Sequence, residues 1–171
     1  MNHLKVILSI IGILITIGLL ALIFGPIIIN GDKPSYFSFA ATNFVGHIFF
    51  MTVPTEEIIY GYYLSLGYSK NIMFMLAIVS AILAQFIDYS IGFTVHKKFL
   101  TGVVGDKKKK KMYGLIKKYG GGVIFFFNFL PLSSPLVCLA AGMLKYDLKK
   151  TIYYSLFGLS LKYYIINLLF M

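Results

Sequence analysis

Residues 48–61 read IFFMTVPTEEIIYG, and the reading of this stretch decides the fold. Pro54 lacks a backbone donor and its ring clashes with the preceding turn, so the apolar run over residues 37–68 cannot pass through it as one straight helix. Two half-helices are expected, one on each side of the break. Directly after it, Thr55 is placed to cap the second half-helix, and Glu56 and Glu57 fall in its first turn, where the helix dipole favours acids. In water that would be explanation enough. At the centre of a bilayer an ionised carboxylate costs about 2.5–3.5 kcal/mol, so acids there face a partner or a wet cavity. Successive helical residues point ~100° apart. One glutamate rather than both is therefore expected to project into that cavity, with Glu56 the first candidate.

The composition sets these acids in a membrane. Of 171 residues, 58% are hydrophobic and 13% charged, with mean hydropathy +0.83, and a soluble domain of this size needs more polar surface. All 16 basic residues are lysines, against 6 acids, for a formal net charge of +10. The lysines flank or interrupt apolar segments, the pattern of juxtamembrane charge facing anionic lipid, which argues against a nucleic-acid partner. The single cysteine, Cys138, lies in an apolar run, so neither a disulfide framework nor a thiol metal site is indicated. The sequence carries no phosphate loop, metal cluster or nucleophile with its base, so neither an enzyme nor a cofactor is expected.

Residues 6–29 are apolar throughout and long enough to cross a hydrocarbon core of about 30 Å. They read as an uncleaved first span. One membrane domain follows from the rest: residues 1–36 form the first transmembrane helix and an outer turn, and 37–95 a re-entrant hairpin plus a second span at 71–95. Residues 96–118 are a basic segment that the positive-inside rule places in the cytoplasm. Residues 119–171 form a second hairpin and a last span at 151–171. A short interfacial helix over 112–119 is expected to end at Gly120, Gly121 and Gly122.

The second hairpin covers residues 123–144 and is broken by Pro131 and Pro135. Ser134 can cap a helix that begins at Pro135, where proline's missing donor is not needed. A helix amino terminus inside a membrane presents free N–H groups suited to a phosphate or carboxylate. Pro54 and Gly61 stand at the same interval as Pro135 and Gly142, each proline follows an aromatic-rich stretch, and each broken segment precedes a full span. With the hairpins entering from opposite sides, this is the pattern of an inverted repeat whose discontinuous helices meet near the midplane. The fold class is thus all-α and polytopic, with three full transmembrane helices plus two opposed re-entrant hairpins. Gln85 and Asp88 of the second span are expected to face the same cavity, with Lys162 of the last span a partner for Asp88. His47 precedes the first break as a candidate proton carrier. Gly46, Gly61, Gly92, Gly142 and Gly158 are expected at close helix contacts.

These residues resemble the DedA-type proteins, also called SNARE-associated or VTT-domain proteins. Pro54-Thr55-Glu56, with Gly61 and Gly67 beyond, is similar to the family's Pro-Ser/Thr-Glu signature. Tyr89-Ser90-Ile91-Gly92 resembles its Tyr-x-x-Gly element. Tyr119-Gly120, Phe129-Leu130-Pro131 and Ala141-Gly142 resemble its Tyr-Gly, Arg-Phe-x-Pro and Ala-Gly elements. The pieces occur in the expected order, from residue 37 to the end of the chain. The resemblance implies two opposed re-entrant hairpins and movement of lipid across the bilayer, such as a polyprenyl phosphate carrier, driven by an ion gradient. It makes Glu56 the essential membrane acid and Pro131 the second hairpin's break. Where the family usually has arginines, this chain has Asn128 and Ser134, so bidentate phosphate recognition by guanidinium is not on offer.

The expected function is therefore lipid transport or scrambling of an anionic or polyprenyl phosphate lipid, with a proton or sodium ion as coupling partner. Glu56, Glu57 and Asp88 are the coupling candidates, Asn128, Ser133 and Ser134 the headgroup contacts, and Pro54, Pro131 and Pro135 the hairpin breaks. The same half-helices would serve an ion-coupled carrier of a small solute or a non-transporting membrane organiser. A homo-oligomer is compatible with each.

Overall fold

The computed structural model describes residues 34–48, 55–94, 114–130 and 134–169, which are helical with no strand among them. The elements are α1 (Tyr36–Ile48), α2 (Thr55–Ser65), α3 (Lys70–Thr94), α4 (Gly121–Phe129), α5 (Ser134–Met143) and α6 (Leu148–Leu169), with a further helical stretch at 114–119. α4 stops at Leu130, whose backbone is extended, while residues 49–54, where the first break is expected, are not among the described residues. Pro54, Pro131 and Ser133 lie outside the described residues, as do residues 6–29 and 96–113. Pro135 is the second residue of α5, with Ser134 the first. The helix at 114–119 ends at Gly120 alone, whose φ of 58° suits glycine, and Gly121 and Gly122 already belong to α4.

A short helix pair followed by a long helix occurs twice. In each half the first short helix packs on the half's own long helix, α1 on α3 and α4 on α6, and α3 and α6 also pack on each other. The turns into the long helices match as well. After α2, Gly67 takes φ 86°, with Tyr68 N–H donating to Tyr63 O (3.4 Å) and Gly67 N–H to Leu64 O (3.0 Å). After α5, Lys145 takes φ 53°, with Tyr146 N–H donating to Ala141 O and Lys145 N–H to Gly142 O, both at 2.9 Å. Both are left-handed helix ends of the Schellman type. Aligning these turns sets Gly142 opposite Leu64 and Pro135 opposite Glu57. The repeat therefore runs in a different register from the matched proline–glycine interval.

A buried asparagine ties each half together. Asn43 of α1 donates to Ser80 Oγ of α3 (2.7 Å) and accepts from Tyr163 OH of α6 (3.1 Å). Asn128 of α4 donates to Ser155 Oγ of α6 (3.2 Å) and accepts from Gln85 Nε2 of α3. Each asparagine binds the serine of its own long helix and is bound by the long helix of the other half. Both are 0% exposed, and amides in an apolar interior are stable only when paired in this way.

Packing between the halves is unequal. A Cβ on Gly142 of α5 would run into Tyr89 O and Phe93 N of α3, and one on Gly92 into Leu139 O, so these two helices meet backbone to backbone. Within the second half, Gly158 of α6 likewise lies close to α4, at Phe125 O and Asn128. Gly46 has nothing within 4 Å of such a Cβ, so it is not the close contact expected of it.

The outer faces stay apolar: Met75, Val79 and Leu83 of α3 and Tyr153, Phe157 and Leu168 of α6 are exposed, although both helices also bury apolar residues. A helix apolar all round suits a lipid solvent. Among the described residues α3 alone is long and apolar enough to cross a membrane, its 25 residues spanning about 37 Å. The last apolar segment forms α6, which carries Lys149, Lys150 and Lys162 and falls short of that measure.

Gly142→Ala should lower stability by about 1–3 kcal/mol, because backbone rather than a movable side chain fills the space. Gly46→Ala should raise it by about 0.4–1 kcal/mol. Unfolding transitions of the detergent-purified protein check both.

Candidate functional site

Glu56 and Glu57 lie in the first turn of α2, as their place after the break requires. The long helix α6 brings Lys162 against them. Its Nζ lies 2.9 Å from Glu57 Oε1 and 3.8 Å from Glu56 Oε1, and the side chains are only 8%, 19% and 12% exposed for Lys162, Glu57 and Glu56. Both acids reach one cation, although they leave the helix ~100° apart. The length of the glutamate side chain closes that angle.

This overturns the expected pairing of Lys162 with Asp88. The lysine has its hydrogen bond with Glu57, and two carboxylates attract it more strongly than one. Asp88 is 1% exposed on α3, and its Oδ2 has no hydrogen-bond partner among the described residues. It lies instead within electrostatic reach of Cys138 of α5.

Aromatic and amide groups wall the charged cluster. Lys162 Nζ is 5.1 Å from the Tyr163 ring centroid, within the range of a cation–π attraction. Tyr60 of α2 packs against Tyr163 at a tilt, with ring centroids 4.8 Å apart, and donates to Asn167 Oδ1 at 2.9 Å. His47 of α1 is 1% exposed, and its Nδ1 lies 2.8 Å from Asn43 O. A carbonyl only accepts, so Nδ1 carries the proton and Nε2 of the neutral ring is an acceptor. Nε2 is buried without a partner among the described residues, as is Glu57 Oε2, and His47 is within electrostatic reach of Lys162. Two carboxylates, one ammonium and two unmatched acceptors make a cluster short of positive charge and of donors.

The second half builds a different site. Asn128 uses both N–H donors, on Ile124 O (2.9 Å) and Ser155, and accepts from Gln85, and Cys138 Sγ donates to Gln85 Oε1 at 3.4 Å. Asn128 shares no hydrogen bond or ion pair with the acids. Ser134 is buried at the start of α5. The structure therefore unites Glu56 and Glu57 with a lysine, while Asp88, Asn128 and Ser134 sit elsewhere in the bundle. Sequence reasoning missed Asn43, Tyr163 and Tyr60 as supports. Asn43, a carboxamide inside an apolar run, was the signal available.

Apolar outer faces combined with buried, paired charge fit an all-helical membrane protein. A family model, the VTT domain, matches residues 44–170. The chain belongs to this family, that of the DedA or SNARE-associated proteins, which is associated with membrane transport. No curated protein and no solved structure matches it.

Lys162→Met should destabilise the protein by about 3–5 kcal/mol, because it leaves two buried carboxylates without a counter-charge. The neutral pair Glu57→Gln with Lys162→Gln should recover most of that loss. Thermal unfolding of the three proteins in one detergent gives the comparison.

Proposed function

We propose that this protein is a transporter that moves an anionic lipid of the polyprenyl phosphate type across a cell membrane, coupled to a proton or another cation. In this reading residues 6–29, α3 and α6 are three full spans, and α1–α2 and α4–α5 are two opposed re-entrant hairpins. Residues 96–118 face the cytoplasm. The recurrence of a short pair and a long helix, with its paired asparagine nodes, supports an inverted repeat. Family membership supports transport rather than an enzymatic reaction.

The observation that carries the proposal is the cluster of Glu56, Glu57 and Lys162. A structural ion pair would balance its charges, whereas here two acids share one lysine, and buried charge of that kind in a membrane marks a substrate or ion pathway. Glu56, at 3.8 Å the more weakly held acid, is the one freer to take up the coupling cation. Asn128 and Ser134 shape the second hairpin.

A carrier for a soluble solute would need an enclosed site at the charged groups, and small-molecule sites occupy about 300–1,000 Å³. Among the described residues a small cavity between α3 and α6, with room for about 10 Å³, is lined by Gln85, Tyr89, Thr151 and Ser155 rather than by Glu56 and Glu57. A lipid whose tails stay in the bilayer needs no such enclosure.

Reconstitution into liposomes with a fluorescent polyprenyl phosphate tests the proposal. Wild type should move the probe between leaflets, and Glu56→Gln should slow it about tenfold or more, a loss of ~1.4 kcal/mol in the barrier. Equal rates for the two would refute the role of Glu56.

A further inference from the structure

We propose that Lys162 is the receptor for the anionic headgroup, and that Glu57 occupies it when no lipid is bound. This rests on the lipid-transport reading and names the residue that would recognise the substrate. Lys162 is the buried basic side chain of the described residues; every other described lysine is at least partly exposed. Of the other headgroup candidates, Asn128 has both amide N–H donors engaged and Ser134 carries no charge. A phosphate reaching the bundle interior therefore meets one cation.

The surroundings of Lys162 suit an anion that comes and goes. It faces the first turn of α2, an 11-residue helix whose leading N–H groups lack intrahelical acceptors and attract negative charge. The Glu57 carboxylate at 2.9 Å stands where a phosphate oxygen would stand, as a tethered anion competing for the same ammonium. Among the described residues His47 Nε2 and Glu57 Oε2 are buried without a hydrogen-bond partner, so the resting arrangement around Lys162 is not saturated. Exchanging the carboxylate for a phosphate monoester keeps Lys162 paired throughout. A monoester carries about −1.5 to −2 charge against −1 for the carboxylate, so it can displace the resident acid. Lysine binds phosphate as a point charge, which favours the more highly charged monoester over a diester.

Binding and translocation of fluorescent polyprenyl phosphate by the full chain, with the uncharged polyprenol as control, test the inference. Glu57→Gln should tighten binding of the phosphate probe several-fold, because it removes the competitor. Glu57→Gln with Lys162→Gln should stay folded, by its unfolding transition, yet lose the preference for phosphate over polyprenol. Lys162→Arg should retain it. The inference is overturned if the double variant binds the phosphate probe as wild type does, or if wild type shows no preference for it. It is overturned as well if inorganic phosphate displaces the probe completely, since the bound species would then be a soluble ion. Wild type that binds the probe but does not move it would refute transport and leave the binding role of Lys162 standing.

Discussion

An ammonium group placed well inside a helix in an apolar bundle dictates much of what surrounds it. Lys162 cannot reach bulk solvent easily from its position on α6, where it is 7% exposed, so a counter-charge has to come to it. The first turn of α2 presents two acids to it, at the end of the helix whose dipole favours them. The helix start, the acids and the lysine are thus one device.

The asparagine nodes explain how such a device can be held in place. A broken helix loses backbone hydrogen bonds at its ends and gains freedom that the fold must remove. Asn43 and Asn128 fasten α1 and α4 to both long helices through paired amide bonds, and in an apolar setting these have no water to compete with them. They fix the first helix of each pair. The second helices, α2 and α5, are left to differ, with Glu57 in one half standing where Pro135 stands in the other.

Much of this was legible in the residues. Hydropathy and proline placement predict α1, α2, α3, α5 and α6 closely, because an apolar run with a proline in it has few other solutions. The acids, the lysine and the family elements were also readable. The partner of Lys162 was not, since pairing in space depends on the rotation of α6 about its axis, and Asp88 and Glu57 are equally plausible from spacing alone. The repeat was visible, but its register was not, because Pro135 lies inside α5 whereas Pro54 precedes α2, so like residues are not in like places. Asn128 looked free on paper. Its amide is consumed by Gln85 and Ser155, which come from two helices distant in sequence.

The two halves therefore differ in how their second short helix is held, and this bears on what each can do. α5 is locked on α3 by backbone contacts at Gly92 and Gly142, where an interior packed at crystal-like density yields little. α2 reaches α6 through side chains, by the Tyr60–Tyr163 ring contact and by polar ends, Tyr60 to Asn167 and Glu57 to Lys162. Such contacts can exchange partners by rotamer changes without moving a backbone. In the proposed reading, an anion that competes for Lys162 would work on the half held by side chains rather than on the half with the glycine seam. Charge and adaptability fall on the same side of the molecule, as a site that must both bind and release its ligand requires.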